Sequence, residues 1–371
     1  MRATQVLIHR KNFLQNVNLI RQKTAKDTLI CVPVKADAYG HGAEHIAQIA
    51  AEAGVSYLAV ATVQEGAELR NAGINMPILL LSPPNPEDAD LILMLHLEPF
   101  VTCTEIIAVL AAAAKRTNLP GAVHIKIDTG MSRIGCTPEQ AVHIAQAVCK
   151  SGTLRLAGTA THLAVSDSPD QKDKDFTNKQ LDRFDEALSD IRSAGIDPGI
   201  VHAANSGAVI LHPRAEYSMI RPGILVYGYA PDPRLSGMIP VLPVMELKTR
   251  IIETHTVLPG VPVSYGRSWT AKTETVIGVI PAGYADGLPR RLSPGLTVWI
   301  KGTSYPVVGR ICMDLCMINL GAKSSIPAGT EVSVFGPAPN PVSAAKLADL
   351  LETIPYEITC GIGKRVPRNL K

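Results

Sequence analysis

The chain has 371 residues, 46% of them hydrophobic and 19% charged, with a net charge of +3. That length accommodates a large α/β barrel and a second domain, and so small a charge gives no case for a nucleic acid or a membrane surface as partner. No apolar run reaches the roughly 18 residues that would suggest a membrane-spanning helix, and the start, MRATQVLIHRKNF, lacks the apolar centre of a secretion signal. The seven cysteines are odd in number and contain no CxxC pair, which suits reduced thiols in a cytoplasm better than a disulfide framework.

The first expected strand, QVLIHR, stands before the main pattern, within residues 1–10. Strand and helix signals then alternate over 11–235. The apolar, β-branched runs are LICVPV, SYLAVA, PILLLS, EPFVT, VHIKID, LRLAGTATH, GIVHAA and YSMIRPG. Amphipathic stretches lie between most of them, and Gly54, Gly73, Gly152 and Gly195 stand where helix C-caps belong. Thr137-Pro138 reads as a helix start, a capping threonine before a proline at the first helical position. Eight such units fit a (β/α)8 barrel, with a doubly wound sheet as the rival. PPNPEDAD at 83–90 and VSDSPDQKDKD at 165–175 read as solvated loops. From 236 to 371 short strands and prolines dominate, through MELKTRIIETHTV, TVIGVIPA, LTVWIKG, TSYPVVG, MINL and EVSVF. A helical pattern returns at VSAAKLADLLETI. This is a mostly β domain, which the leading strand is expected to join.

In such a barrel the chemistry collects at the C-terminal ends of the strands. Those ends read Lys35 after the first strand, Asp128 and Arg133 after the fifth and His162 after the sixth. Asn205 and Ser206 follow the seventh, and Arg221 and Gly223 the eighth. A lysine closing a buried run is costly unless neutralised, and a desolvated amine is a nucleophile that can hold a carbonyl cofactor. The loops after the last two strands, HAANSGA and RPGIL, suit a phosphate cradle. Lysine, cradle and arginine together point to pyridoxal phosphate. Taken singly, Lys35 could be a surface lysine and Arg221 half of an ion pair. His41 and His45 share a helix face without a carboxylate, and Cys312 and Cys316 have no second pair, so no metal site is expected.

The motifs VPVKADAYGHG, KIDTGMSRIG, THLA, HAANSGA, RPGI, VSYGR, PAGYADGLPR, GRICMD and YEITC, in this order, resemble the alanine racemase family of fold-type III pyridoxal phosphate enzymes. The resemblance covers essentially the whole chain. It departs at Ser132, where the family commonly has glycine; a serine fits unless the backbone there needs a positive φ. The resemblance implies that Lys35 carries the cofactor. It implies that Tyr39, Ser206, Gly223, Ile224 and Tyr356 hold the phosphate, with Asn205 beside them. Arg221 would face the pyridine nitrogen, with His162 packed by the ring and linked to Arg221. Racemisation needs a base on each face of the α-carbon, and these would be Lys35 and Tyr265. A free tyrosine has a pKa of about 10 and needs a supporting environment to act near neutrality. The family places that tyrosine in the partner's site, which implies a homodimer with shared active sites. Arg133 and the backbone of Met313 would receive the substrate carboxylate. Lys126 matches a position that is often carbamylated, and Tyr284 resembles an entrance gate. The implied reaction interconverts L- and D-alanine, for peptidoglycan or for alanine breakdown. Rivals are a serine or broader-specificity racemase, a decarboxylase of the same fold, and a lone-barrel pyridoxal phosphate homeostasis protein.

Overall fold

After a leading strand β1 (Gln5–Ile8), the eight apolar runs become β2 (Leu29–Pro33), β3 (Tyr57–Val60), β4 (Ile78–Leu80), β5 (Leu97–Val101), β6 (Gly121–Lys126), β7 (Leu154–Ala160), β8 (Ile200–His202) and β9 (Met219–Ile220). The structure, a computed structural model, describes residues 3–371. The strands lie in the order β8-β7-β6-β5-β4-β3-β2-β9. At the remaining seam Ser218 N donates to Val201 O (3.0 Å) and Arg221 N to Ala204 O (2.8 Å). A parallel sheet whose last strand returns to its first is a barrel, and this removes the doubly wound rival.

Alternate residues of a strand point to opposite faces, and burial follows that rule. Ile30, Val32, Leu58, Val60, Ile78, Val123 and Ile125 face outward into the main core beneath the helices. Cys31, Tyr57, Ala59, Leu79, Phe100, Ala160 and Met219 form a separate cluster that fills the barrel. The surrounding helices include Ala43–Glu52, Val63–Asn71, Thr104–Thr117, Ala141–Ser151 and Gln171–Ser193. Gly54, Gly73, Gly152 and Gly195 all take a positive φ after a helix. Thr137 caps as expected, although Pro138–Gln140 is a 3-10 turn leading into Ala141–Ser151. The loop expected over 165–175 is shorter, because Gln171–Ser193 already includes its last residues. Their aspartates and lysines are the wet face of an amphipathic helix, which polar composition alone does not separate from a loop.

The rest of the chain supplies β10 (Met245–Arg250), β11 (Glu253–Val257), β12 (Pro262–Val263), β13 (Trp269–Thr270), β14 (Thr275–Ile280), β15 (Thr297–Ile300), β16 (Thr303–Val308), β17 (Cys316–Gly321), β18 (Glu331–Phe335) and β19 (Arg368–Leu370). Nine strands form one sheet, β11-β14-β17-β16-β15-β18-β10-β1-β19. Strand β1 lies inside it, antiparallel to β10 and parallel to β19. The small ribbon β12-β13 is separate. It rests on its own core of Val257, Val263, Ala271, Ile277 and Val308. Two helices, Ala344–Leu351 and Pro355–Cys360, return the chain to the barrel mouth. The second packs so closely that a Cβ on Gly40 would lie 2.0 Å from Thr359 O, and Gly40 also has φ 80. No other residue type fits there.

Candidate active site

The segment after β2 holds an unusual backbone. Ala36, Asp37, Ala38 and Tyr39 take φ of 52, 53, 52 and 54, so one turn of left-handed helix follows Lys35. Each such residue costs about 1–2 kcal/mol in an L-chain, so neighbours must hold the turn. Glu65 accepts from Ala36 N (2.7 Å) and Ala61 N (2.7 Å). Asp37 Oδ1 accepts from Ala43 N (2.8 Å), and Tyr227 Oη donates to Pro33 O (2.8 Å). His41 is fully buried here, its ring tilted on Tyr227 at 4.5 Å and its Nδ1 against Ala38 O and Tyr39 O. The turn sets Lys35 half-buried at the barrel mouth and buries Tyr39.

There a cavity of about 500 Å³ opens, lined by Lys35, Tyr39, Lys126, Arg133, His162, Asp167, Asn205, Ser206, Arg221, Gly223 and Tyr356 among others. Lys35, Lys126, Arg133 and Arg221 face a single lining carboxylate, Asp167, which makes the cavity a site for an anion. Burial, then Arg133, lowers the pKa of Lys35 and favours its free amine. Burial, then Arg221, pushes Lys126 down to about 7; its Nζ donates to Ile127 O (3.0 Å). Burial raises Tyr39 and Tyr356, so both phenols stay protonated donors. Their rings lie 5.6 Å apart. A Cβ on Gly223 would lie 2.9 Å from Tyr39 Oη, so the bare glycine lets its backbone and that hydroxyl meet. The amides of Gly223 and Ile224 donate to no described residue. Asn205 caps the next helix, its Oδ1 accepting from Ala208 N (3.0 Å) and Ser166 Oγ (2.7 Å).

Arg133 rides on a loop that Asp128 gathers. Asp128 Oδ1 accepts from the amides of Gly130, Met131 and Ser132 at 2.9, 3.0 and 3.1 Å. Burial disfavours that carboxylate, and the amides with nearby Lys126 outweigh it, so its pKa is lowered. Ser132 has φ 57, the one condition under which a serine does not sit comfortably at this position.

Arg221 is buried within the barrel mouth, and burial pushes its pKa down to about 10. Its Nη2 donates to Thr161 O (2.8 Å) and lies 3.3 Å from His162 Nδ1. Its Nη1 meets His202 Nδ1 at 2.6 Å. Behind that contact lie His124 and Glu98, which the strand-end reading missed. Strand alternation could have found them: His124 lies two residues before Lys126, and Glu98 two before Phe100, on inward-facing parity.

Four expected site residues do not line this cavity. Tyr265 is 71% exposed, in the turn between β12 and β13. Ser264 and Arg267 around it take φ of 68 and 48, and Ser264 Oγ donates to Arg310 O (2.7 Å). Met313 and Tyr284 are exposed at 53% and 43%. They share one junction, where Tyr284 N donates to Cys312 O (3.0 Å) and Ala285 N to Met313 O (3.0 Å). Ile224, the fourth, is fully buried, next in sequence to the lining residue Gly223.

A family model described as "Alanine racemase, N-terminal domain" matches residues 8–231, and one described as "Alanine racemase, C-terminal domain" matches 244–370. An alanine racemase of Treponema denticola is 50% identical over 372 residues, covering 99% of this chain and 98% of its own. A solved alanine racemase of Clostridium difficile 630 superposes with a TM-score of 0.93 at 35% identity, over 100% of this chain and 96% of that one. The alanine racemase of Bacillus anthracis with bound L-Ala-P gives 0.92 at 33% identity, over 100% and 95%.

Proposed function

The chain belongs to the alanine racemase family, and from that premise we propose how its own residues carry out the pyridoxal phosphate-dependent racemisation of alanine. The observation that carries the reading is one cavity holding a lysine of lowered pKa, the hydroxyls of Tyr39, Ser206 and Tyr356, and Gly223, whose amide donates to no described residue. Tyr39, Ser206 and Tyr356 would hold the phosphate through their hydroxyls, Gly223 and Ile224 through their amides, while Asn205 fixes the loop. Lys35 would be the attachment point, and His162 would pack beside the ring. Bound there, pyridoxal phosphate supplies the electron sink that acidifies the α-proton of the amino acid.

Lys35, with its pKa lowered, can take or return a proton on one face of the α-carbon. Arg221 would stand at the ring nitrogen. A guanidinium only donates and is essentially never deprotonated, so that nitrogen stays unprotonated and stray transamination is suppressed. Arg133 would bind the substrate carboxylate. Lys126, held near a pKa of about 7, has enough free amine to bind carbon dioxide. The resulting carbamate would orient Arg133 through charge-assisted hydrogen bonds.

The second base is Tyr265. On the chain that carries it, Tyr265 is 71% exposed and lines no part of the Lys35 cavity. A second copy would therefore supply Tyr265, the Met313 backbone and the Tyr284 gate, and the enzyme would act as a homodimer with shared sites. The same reading divides the chain into a cofactor-binding barrel over 11–235 and a β domain over 236–371 joined by 1–10. It assigns the protein to the cytoplasm, which suits its seven free cysteines, and no described helix is long and apolar enough to cross a membrane.

Borohydride treatment of the holoenzyme tests the attachment. The cofactor should become fixed to the peptide containing Lys35, and Lys35→Ala should lose both this adduct and racemisation, by about 10⁴-fold. An adduct on any other lysine contradicts the assignment.

A further inference from the structure

Inside the barrel a column of polar side chains crosses an otherwise apolar interior. Arg221 Nη1 lies 2.6 Å from His202 Nδ1, His202 Nε2 lies 2.9 Å from His124 Nδ1, and His124 Nε2 lies 2.9 Å from Glu98 Oε2. Both imidazoles are fully buried. Phe100 stacks on His202 at 6.0 Å and meets His124 edge-on at 6.5 Å. The column needs local concessions from the sheet. The β6-β7 register shifts at Val123/His124. A Cβ on Gly158 would lie 2.4 Å from His124 Nδ1, so a side chain there would expel the ring.

The chemistry of the end groups orders the whole column. Arginine has no acceptor, so His202 Nδ1 must accept. A neutral His202 then carries its hydrogen on Nε2 and donates to His124 Nδ1. His124 in turn carries its hydrogen on Nε2 and donates to the Glu98 carboxylate. Every ring nitrogen is satisfied with both histidines neutral, which agrees with burial, then Arg221, lowering His202 and burial lowering His124. Reversing one tautomer would set two hydrogens against each other at Arg221 or leave a buried nitrogen unpaired, at a cost of about 1–3 kcal/mol. Glu98 also faces the Tyr57 hydroxyl, and Arg155 is the other charge near this end.

We propose that Glu98, His124 and His202 are positioning residues for Arg221: a one-way hydrogen-bond relay, Arg221 to His202 to His124 to Glu98, locks both rings as Nε2–H tautomers and fixes the guanidinium at the barrel mouth. The relay occupies Nη1, and Thr161 O and its neighbours occupy Nη2; no described residue accepts from Nε–H. The consequence for the reaction rests on the reading that Arg221 faces the cofactor's ring nitrogen. Slackening at Glu98 then reaches the site as a looser arginine, although Glu98 itself touches no reactant.

The test uses the holoenzyme with ¹⁵N-labelled histidine, the two rings assigned by His124→Gln and His202→Gln. The wild type should show both as neutral Nε2–H tautomers; a protonated ring, or Nδ1–H at either, overturns the relay. Glu98→Leu should leave the His124 Nε2–H without its acceptor and shift that ring's ¹⁵N signals, weaken pyridoxal phosphate binding about tenfold, and raise transamination per racemisation. Glu98→Gln, whose amide oxygen can still accept, should restore all three. A Glu98→Leu holoenzyme with an unaltered His124 spectrum and cofactor affinity also overturns it. If Glu98→Leu does not fold, the wild-type spectrum decides alone. Wild-type tautomers as proposed, together with an Arg221→Glu enzyme of unchanged cofactor absorbance, would instead break the ring-nitrogen reading and leave the relay standing.

Discussion

The barrel mouth and the β12-β13 turn treat their proposed site residues in opposite ways. At the mouth, Arg221 and Tyr39 are buried and Lys35 is half-buried, each set by neighbours that hold its backbone or side chain. At the turn, Tyr265 stands 71% exposed between residues of left-handed backbone and lines no part of the Lys35 cavity. Left-handed residues other than glycine persist only where their surroundings over-determine them. At the mouth, Glu65 and Asp37 do so. At the turn, the Ser264 to Arg310 hydrogen bond does so, yet the tyrosine that is held up stays mostly exposed. On the proposed reading, one region completes a binding site and the other presents a group to a second copy of the chain.

Altering the interior should leave the presented face alone. Arg221→Glu gives the ring nitrogen an acid partner and should create a new long-wavelength absorbance, more transamination, and racemisation slower by on the order of 10²-fold. The oligomeric mass should not change. Unaltered spectra and side-reaction ratio would contradict the electronic role of Arg221. A smaller effect is expected at Lys126. Its amine is free above a pKa of about 7 and protonated below it, and only the free amine binds carbon dioxide. With ¹³C-bicarbonate, a carbamate signal should grow as pH rises from about 6 to about 8 and vanish in Lys126→Ala. That variant should show a KM for alanine raised about tenfold, and absence of the signal at high pH would remove the carbamate. The smallest effect belongs to the Arg133 loop. Ser132→Gly relieves a left-handed serine and should raise stability by about 1 kcal/mol in denaturant unfolding; a loss of stability would mean that the serine side chain supports the loop.

The barrel was legible because its eight apolar runs keep strand length and its helices end in glycine, signals that depend on local chain chemistry alone. Strand-end polarity then marked Lys35, His162, Ser206 and Arg221. The left-handed turn at Ala36 was not legible, since alanine and aspartate carry no mark of that backbone; Glu65, a distant residue, stabilises it. Ribbon β12-β13 was hidden because two-residue strands are too short for any periodicity. Glu98, His124 and His202 were hidden for another reason. They sit inside apolar runs, where only inward parity within a strand marks them and their partners lie on other strands.

The division between a completed cavity and a presented tyrosine is tested most directly by mixing two inactive variants. Lys35→Ala and Tyr265→Ala subunits, dissociated together and reassociated, should form mixed dimers that regain activity, because one of the two shared sites again holds both Lys35 and Tyr265. Mixed dimers that demonstrably form and remain inactive would place both bases in one chain and contradict the account.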